Sequence, residues 1–162
     1  MISQEDIFAI SSKKEFEKIT LKVFRYQYEN NKVYQAFCNH LGKNTSNVKQ
    51  INAIPFLPIQ FFKSETIVSN FEQAQTIFTS SGTTGTQTSQ HFVTDISIYE
   101  NSYNIAFTQF YGDIQEYCVL ALLPSYLERD GSSLIYMVND LIAKSNHKDS
   151  GFYLKNIEQL AN

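Results

Sequence analysis

Apolar side chains recur at helical spacing through the first forty residues. Ser3 and Ser12 each stand three positions before an acidic residue, the arrangement of an N-cap with its reciprocal partner, so a helix is predicted to begin at each. A third helix is predicted after Asn30-Asn31 and ends at Gly42. The apolar positions expected to face inward on the second and third helices are Phe16, Ile19, Val23, Tyr26, Tyr34, Phe37, Cys38 and Leu41.

Two prolines interrupt this pattern. Residues 43–53 are polar, and the following Ile54-Pro55-Phe56-Leu57-Pro58 excludes both a regular helix and a central strand. The segment is therefore predicted to be a fixed connector. We divide the chain here into a helical N-terminal region, residues 1–53, and a second region, residues 54–162.

The second region alternates strand-like and helix-like segments. Residues 66–68, 76–79, 91–94 and 151–154 are β-prone. Residues 117–123 form a nearly continuous apolar run, typical of a strand buried on both faces. This alternation predicts an α/β fold, with a sheet that follows the helical N-terminal region.

Two longer helices are predicted within that alternation. Asp95 caps the first, which ends at Gly112, and Ser132 or Ser133 begins the second. The positions expected to face inward on these helices are Ile98, Ser102, Ile105, Phe110, Leu134, Val138 and Leu141.

Composition narrows the function classes. The chain has 162 residues, the length of one domain, and its 13 Phe and 10 Tyr supply ample side chains for a core. The net charge is −3 and only Arg25 and Arg129 are arginines, which argues against a nucleic-acid partner. No segment is apolar for long enough to span a membrane, and the N-terminus has no signal sequence. We expect a soluble, cytoplasmic protein, truncated at its C-terminus because the chain stops a few residues into a new helix.

The two cysteines carry no recognisable chemistry. Cys38 and Cys118 are far apart in sequence, and each lies in an apolar stretch. This pattern is typical of buried packing residues and not of a disulfide, a zinc site or a reactive thiol. No metal-ligating cluster is predicted.

One segment between two predicted strands is rich in hydroxyl groups and glycine. The glycines let consecutive backbone amides converge on an anion, and the hydroxyls add uncharged donors. The alternative is a flexible surface turn. The spacing matches neither a Walker A loop nor the dinucleotide fingerprint. The candidate phosphate-binding residues are Thr79, Ser80, Ser81, Gly82, Thr83, Thr84, Gly85 and Thr86.

These residues carry a resemblance. Ile77-Phe78-Thr79-Ser80-Ser81-Gly82-Thr83-Thr84-Gly85 resembles the phosphate-binding signature of the adenylate-forming superfamily of acyl-CoA ligases and their relatives. Together with Ile54-Pro55-Phe56-Leu57-Pro58 and Phe61-Phe62-Lys63, it resembles the acyl-protein synthetase (LuxE-type) branch most, and the phenylacetate-CoA ligase branch next. The resemblance implies that this chain forms part of the large N-terminal domain of such enzymes.

The resemblance also implies a reaction. The parent enzyme would be an AMP-forming ligase that uses ATP and Mg²⁺ to convert a fatty acid, or another small carboxylic acid, into an acyl-adenylate. It would then pass the acyl group to a protein thiol, with an acyl-acceptor or reductase protein as partner. The family's catalytic lysine and acyl-accepting cysteine come later in a longer chain, so the catalytic residues stay unassigned and this chain alone is expected to be inactive. A coenzyme A acceptor and a non-catalytic nucleotide- or acyl-binding module are the alternatives.

The position after the apolar run supplies the candidate substrate residues. Tyr126 and Arg129 follow the strand end where the resemblance places the acyl pocket, and an arginine can balance the charge of a carboxylate. A solvated turn with an ordinary surface ion pair is the alternative.

The sequence departs from the family pattern at Thr86-Gln87-Thr88, where a proline and a lysine are common. His91 is nearby and is expected to be a strand residue, not a catalytic one.

Overall fold

The computed structural model describes residues 2–70, 73–80, 88–124 and 131–154. Within these ranges, no helix has both the length and the apolar composition needed to cross a membrane. The helices are α1 (Gln4–Phe8), α2 (Lys13–Asn30), α3 (Lys32–His40), α4 (Phe61–Ser64), α5 (Ile96–Tyr111) and α6 (Ser133–Ser145), with 3₁₀ turns at Ile51–Ala53 and Ile114–Glu116. The strands are β1 (Thr76–Thr79), β2 (Gln90–Val93), β3 (Leu120–Ala121) and β4 (Gly151–Phe152).

Both predicted N-terminal caps are confirmed. Ser12 Oγ accepts a hydrogen bond from the Glu15 amide at 3.3 Å, and Glu15 Oε2 accepts one from the Ser12 amide at 3.1 Å. Hydrogen bonds from Ser11 and Ser12 hold the pKa of Glu15 below its ordinary value. Ser3 and Asp6 form the same reciprocal pair ahead of α1. Local side-chain chemistry therefore sets where these helices begin.

The N-terminal helices pack around a small core. Phe24, Cys38 and Val48 are buried, and Tyr34 and Ile54 pack against them. Val48 comes from the polar segment that precedes the prolines, so that segment folds onto the core. The prediction that Phe16 faces inward is wrong: it is 52% exposed because it lies in the first turn of α2, far along the helix from Phe24. Leu41, the C-cap of α3, is also exposed, since the helix ends there.

The connector at residues 54–58 is confirmed as a segment without helix or strand. The Tyr34 hydroxyl donates a hydrogen bond to the Pro55 carbonyl at 2.6 Å and fixes the connector to α3. Residues 66–68, predicted to be β-prone, form no strand.

The strands form two separate two-stranded sheets within the described residues. β1 and β2 are antiparallel, with Thr76 opposite Val93 and Thr79 opposite Gln90. β3 and β4 are parallel, with Leu120 opposite Gly151, and α6 lies in the crossover between them. The general α/β character is confirmed, although the strands do not join into the single sheet that the alternation implied.

The helix α5 begins after Asp95 and ends before Gly112, as predicted, but its inward face is not the predicted one. Tyr103 is buried, whereas Ser102 and the three apolar residues expected inside are exposed. Aromatic rings bury more area than Ile side chains, and Tyr99 and Tyr103 pack edge to face at 5.2 Å. The exposed apolar residues of this helix are Ile98, Ile105 and Phe110.

Hydroxyl groups join α5 to α6. The Tyr103 hydroxyl donates to Asp140 Oδ2 at 2.7 Å, and the Tyr136 hydroxyl donates to Glu100 Oε1 at 2.5 Å. Burial and the neighbouring carboxylate of Asp140 raise the pKa of Tyr103. Leu141 faces inward as predicted, but Ile135 is buried in place of Leu134, which is exposed.

The apolar run at residues 117–123 is not a strand buried on both faces. Only Leu120–Ala121 is strand, and Ala121 is buried while Leu120 and Leu122 are exposed. Cys118, two residues before this strand, is exposed, which corrects the prediction that it is buried.

The two thiols should therefore react differently. Cys38 is buried and burial raises the pKa of its thiol, so a thiol reagent should reach it only on unfolding. Cys118 should react in the native protein. The measurement is the rate of disulfide exchange with an aromatic disulfide at neutral pH. Cys118→Ser should abolish the native-state reaction and Cys38→Ser should leave it unchanged; one shared slow rate for both thiols would contradict this.

Candidate functional site

The strand β1 leads directly into the hydroxyl-rich segment. Phe78 is buried in β1 and packs against Tyr99 of α5 and Tyr136 of α6, with ring centroids 5.3 and 5.7 Å apart. The following Thr79 and Ser80 are the first two candidate phosphate-binding residues. Both helices therefore fix the position from which the segment starts.

The two ends of the segment are tied together. The Ser80 amide donates to the Ser89 carbonyl at 3.1 Å, and the Ser89 amide donates back to Ser80 Oγ at 3.0 Å. The chain leaves the hairpin at Ser80 and returns at Ser89, so these bonds close a loop. The other candidates, Ser81, Gly82, Thr83, Thr84, Gly85 and Thr86, lie outside the described residues and stay predictions.

Gly131 joins this loop to the second candidate segment. The Thr79 amide donates to the Gly131 carbonyl at 2.7 Å. Gly131 has φ +78°, and a β-carbon built there would lie 2.9 Å from Thr79 Oγ1. Only glycine meets both the left-handed backbone and this close approach. Tyr126 and Arg129 lie outside the described residues, but the residue after their segment is in backbone contact with the start of the loop.

The helix α6 begins at the same junction. Ser132 is its N-cap, and its Oγ accepts a hydrogen bond from the Ile135 amide at 3.4 Å. No acidic residue lies in the first turn of α6. The partial positive charge of a helix N-terminus therefore stands beside Thr79 without a neighbouring carboxylate from its own helix.

His91 lies in β2, opposite Phe78, and its prediction as a strand residue is confirmed. Its ring meets Phe62 edge to face at 5.9 Å. The residue as a whole stays exposed, but loss of water around the ring lowers its pKa below the ordinary value. The lowered pKa favours the neutral form of the His91 ring.

Neutral hydroxyl side chains and a helix N-terminus make up the described part of the site, where the amides of Thr79, Ser80 and Ser89 already donate to protein groups. In the portions of the chain that the structure describes, no three His, Cys, Asp or Glu side chains gather as a metal-binding group. Hydroxyl groups and helix N-termini can bind an anion without titrating. Sequence reasoning missed Gly131, because Asp130-Gly131 looked like an ordinary turn and its partner is distant in sequence.

The close approach at Gly131 predicts a specific defect. Gly131→Ala should destabilise the protein by about 1–3 kcal/mol more than Gly112→Ala, because both place a β-carbon on a left-handed backbone but only Gly131 is crowded. The difference should appear as a melting temperature lower by roughly 2–4 °C for each kcal/mol. Adding Thr79→Ala to Gly131→Ala should restore part of the loss. Equal melting temperatures for the two single variants would contradict this account of the junction.

Comparison with known proteins identifies the family and two relatives of this chain. The family model for the acyl-protein synthetase LuxE matches residues 2–116. A long-chain-fatty-acid–luciferin-component ligase of Vibrio harveyi is 38% identical over 63 residues, which are 38% of this chain and 16% of that protein. The protein of the same name from Photorhabdus luminescens is 34% identical over 70 residues, 43% of this chain and 60% of that protein.

The aligned part of the chain thus spans less than two thirds of either relative's length. No solved structure matches the chain. The family model covers well over half of the sequence, including the hairpin and its loop. The chain belongs to the acyl-protein synthetase family, LuxE.

Proposed function

We propose that this chain provides the phosphate-binding part of an ATP-dependent ligase that activates a fatty acid as an acyl-adenylate and delivers the acyl group to a protein thiol. One observation carries the proposal. In a member of the LuxE family, a glycine- and hydroxyl-rich segment starts at a strand end that contacts Gly131 and the N-terminus of α6. This arrangement supports an adenylate-forming reaction because the hydroxyls and amides of the segment that follows this strand end would be neutral donors to a phosphate chain.

The first step is an in-line displacement. A carboxylate oxygen of the fatty acid attacks the α-phosphorus of ATP, an oxygen–phosphorus bond forms, and pyrophosphate leaves with the electrons of the broken bond. The amides and hydroxyls of residues 79–86 would hold the triphosphate, and Ser80 and Ser89 keep the ends of this loop together. Mg²⁺ bound with the triphosphate would offset the negative charge on the phosphates. Tyr126 and Arg129 are proposed to face the acid.

The second step transfers the acyl group. A thiolate of an acceptor protein attacks the acyl carbonyl carbon, a thioester forms, and AMP leaves. Cys38 does not serve as this nucleophile, because it is buried and its pKa is raised. The two named relatives join a long-chain fatty acid to a luciferin component. We therefore propose a long-chain fatty acid as substrate and a protein thiol as acceptor.

Substitutions in the loop test the proposal when this chain is part of a complete ligase, because the chain alone is expected to be inactive. Thr83→Ala should weaken MgATP binding and acyl-adenylate formation about ten- to a hundredfold, since a hydrogen bond to a charged group contributes about 1.5–3 kcal/mol. Gly82→Val should weaken both further, because a side chain there obstructs the approach of the phosphates. Thr88→Lys should tighten MgATP binding by adding the missing cation. The measurements are calorimetric MgATP affinity and adenylate formation from a long-chain fatty acid.

A matched control separates the loop from general effects. Thr108→Ala removes an exposed hydroxyl from α5, away from the loop in sequence, and should leave MgATP affinity unchanged. Circular dichroism reports whether each variant folds. The proposal would be contradicted if folded Gly82→Val kept its MgATP affinity and Thr88→Lys did not raise that affinity. The segment would then be an ordinary surface turn.

A further inference from the structure

The connector carries two strongly exposed apolar side chains. Phe56 is 81% exposed and Ile59 is 70% exposed. The residues that follow turn inward: Phe61 packs edge to face on Phe37 at 5.8 Å, and Phe62 packs on His91. We call residues 55–59 the proline tip. It presents a pair of large apolar groups to the surroundings while the chain after it is anchored.

The proline tip is held in this outward position. Its two prolines restrict the backbone, and the Tyr34 hydroxyl bonds to the Pro55 carbonyl at 2.6 Å. On its other side, the Phe61 amide donates to the Pro58 carbonyl at 3.0 Å. These contacts hold the backbone of the tip at both ends. The exposed side chains are thus pre-organised for an apolar environment and lose little conformational freedom on entering one.

Charge is distributed unevenly along the chain. Residues 1–64 contain nine Lys and Arg and five Asp and Glu, whereas residues 65–162 contain four and eleven. Residues 30–64 contain four lysines and no acidic residue. The tip therefore lies within the positive part of a protein whose overall charge is negative.

Two of these lysines are next to residues of the core to which the tip is also attached. The Lys43 backbone amide donates a hydrogen bond to the Cys38 carbonyl, and Lys49 directly follows the buried Val48. Both lysines are exposed, and Lys49 Nζ donates to the Thr45 carbonyl at 3.2 Å. Glu17 is the acidic residue that lines the shallow groove beside Lys49. Ile54, which packs on the same core, leads directly into the tip.

We propose that the proline tip inserts Phe56 and Ile59 into the interface of an anionic lipid bilayer, with Lys43 and Lys49 contacting the headgroups. Peripheral membrane binding needs only a few inserted apolar side chains together with basic residues near the surface. A stable protein interface buries about 800 Å² on each partner, more than a five-residue tip supplies.

The consequence for the protein is access to its substrate. Long-chain fatty acids partition into bilayers, so an enzyme that touches the bilayer meets a high local concentration of them. The membrane contact is independent of the acyl chemistry, and its test uses neither ATP nor fatty acid.

Vesicle sedimentation with the full 162-residue chain tests the proposal. The wild-type protein should bind vesicles that contain phosphatidylserine, and binding should fall in high salt and on pure phosphatidylcholine vesicles. Phe56→Ser with Ile59→Ser should weaken binding about tenfold or more, because neither side chain can then insert. Lys43→Gln and Lys49→Gln should each weaken it about fivefold.

Phe110→Ser is the matched control. Phe110 is 75% exposed, like the tip residues, but lies at the end of α5 in the acidic part of the chain, so its loss should leave vesicle binding unchanged. An equal loss in Phe110→Ser would mean that any exposed apolar group binds lipid, and would overturn the proposal. No vesicle binding by the wild type, with self-association by light scattering that is lost in the double serine variant, would assign the tip to a protein contact instead. Circular dichroism of each variant confirms folding.

Discussion

The burial of Phe78 between two helices organises the second half of the structure. Its ring packs against Tyr99 of α5 and Tyr136 of α6, and the hairpin that contains it has only two strands. A two-stranded hairpin is marginally stable alone, so this aromatic contact stabilises the hairpin and holds β1 against the two helices. The hydroxyls of Tyr103 and Tyr136 bond to acidic residues across the helix pair and fix the distance between the two helices. The candidate phosphate site depends on this arrangement because its loop begins one residue after Phe78.

Features determined by neighbouring residues could be predicted from the sequence. Ser12 with Glu15 and Asp95 with Gly112 mark helix ends through contacts within one or two turns. The inward face of α5 could not be predicted, because the helix is largely apolar and Glu100 is its one charged residue. Its orientation follows from aromatic partners on other elements. Val48 was missed for a related reason, since a single apolar residue in a polar segment gives no periodic pattern.

The candidate site likewise has parts that could be predicted from the sequence and parts that could not. The loop was recognisable because its glycines and hydroxyls are consecutive, and the structure places its first residues at the end of β1 as expected. The contact between Thr79 and Gly131 was not recognisable, since it joins distant parts of the chain and depends on a glycine that the sequence presents as a turn. The exposure of Leu120 and Leu122 was missed because an apolar run indicates burial but does not say how many neighbours are present to provide it.

The core around Phe24 has a kinetic consequence. Its members all lie between Leu21 and Ile54, so the contacts that build it connect residues close in sequence. Local contacts close quickly because they require little loop-closure entropy, whereas the Thr79–Gly131 bond must wait for the intervening chain. On a ribosome, the N-terminal helices can therefore assemble before the strands of the candidate site have been synthesised. Substitutions at Val48 would then affect the early folding rate, and substitutions at Gly131 the rate at which the completed protein unfolds.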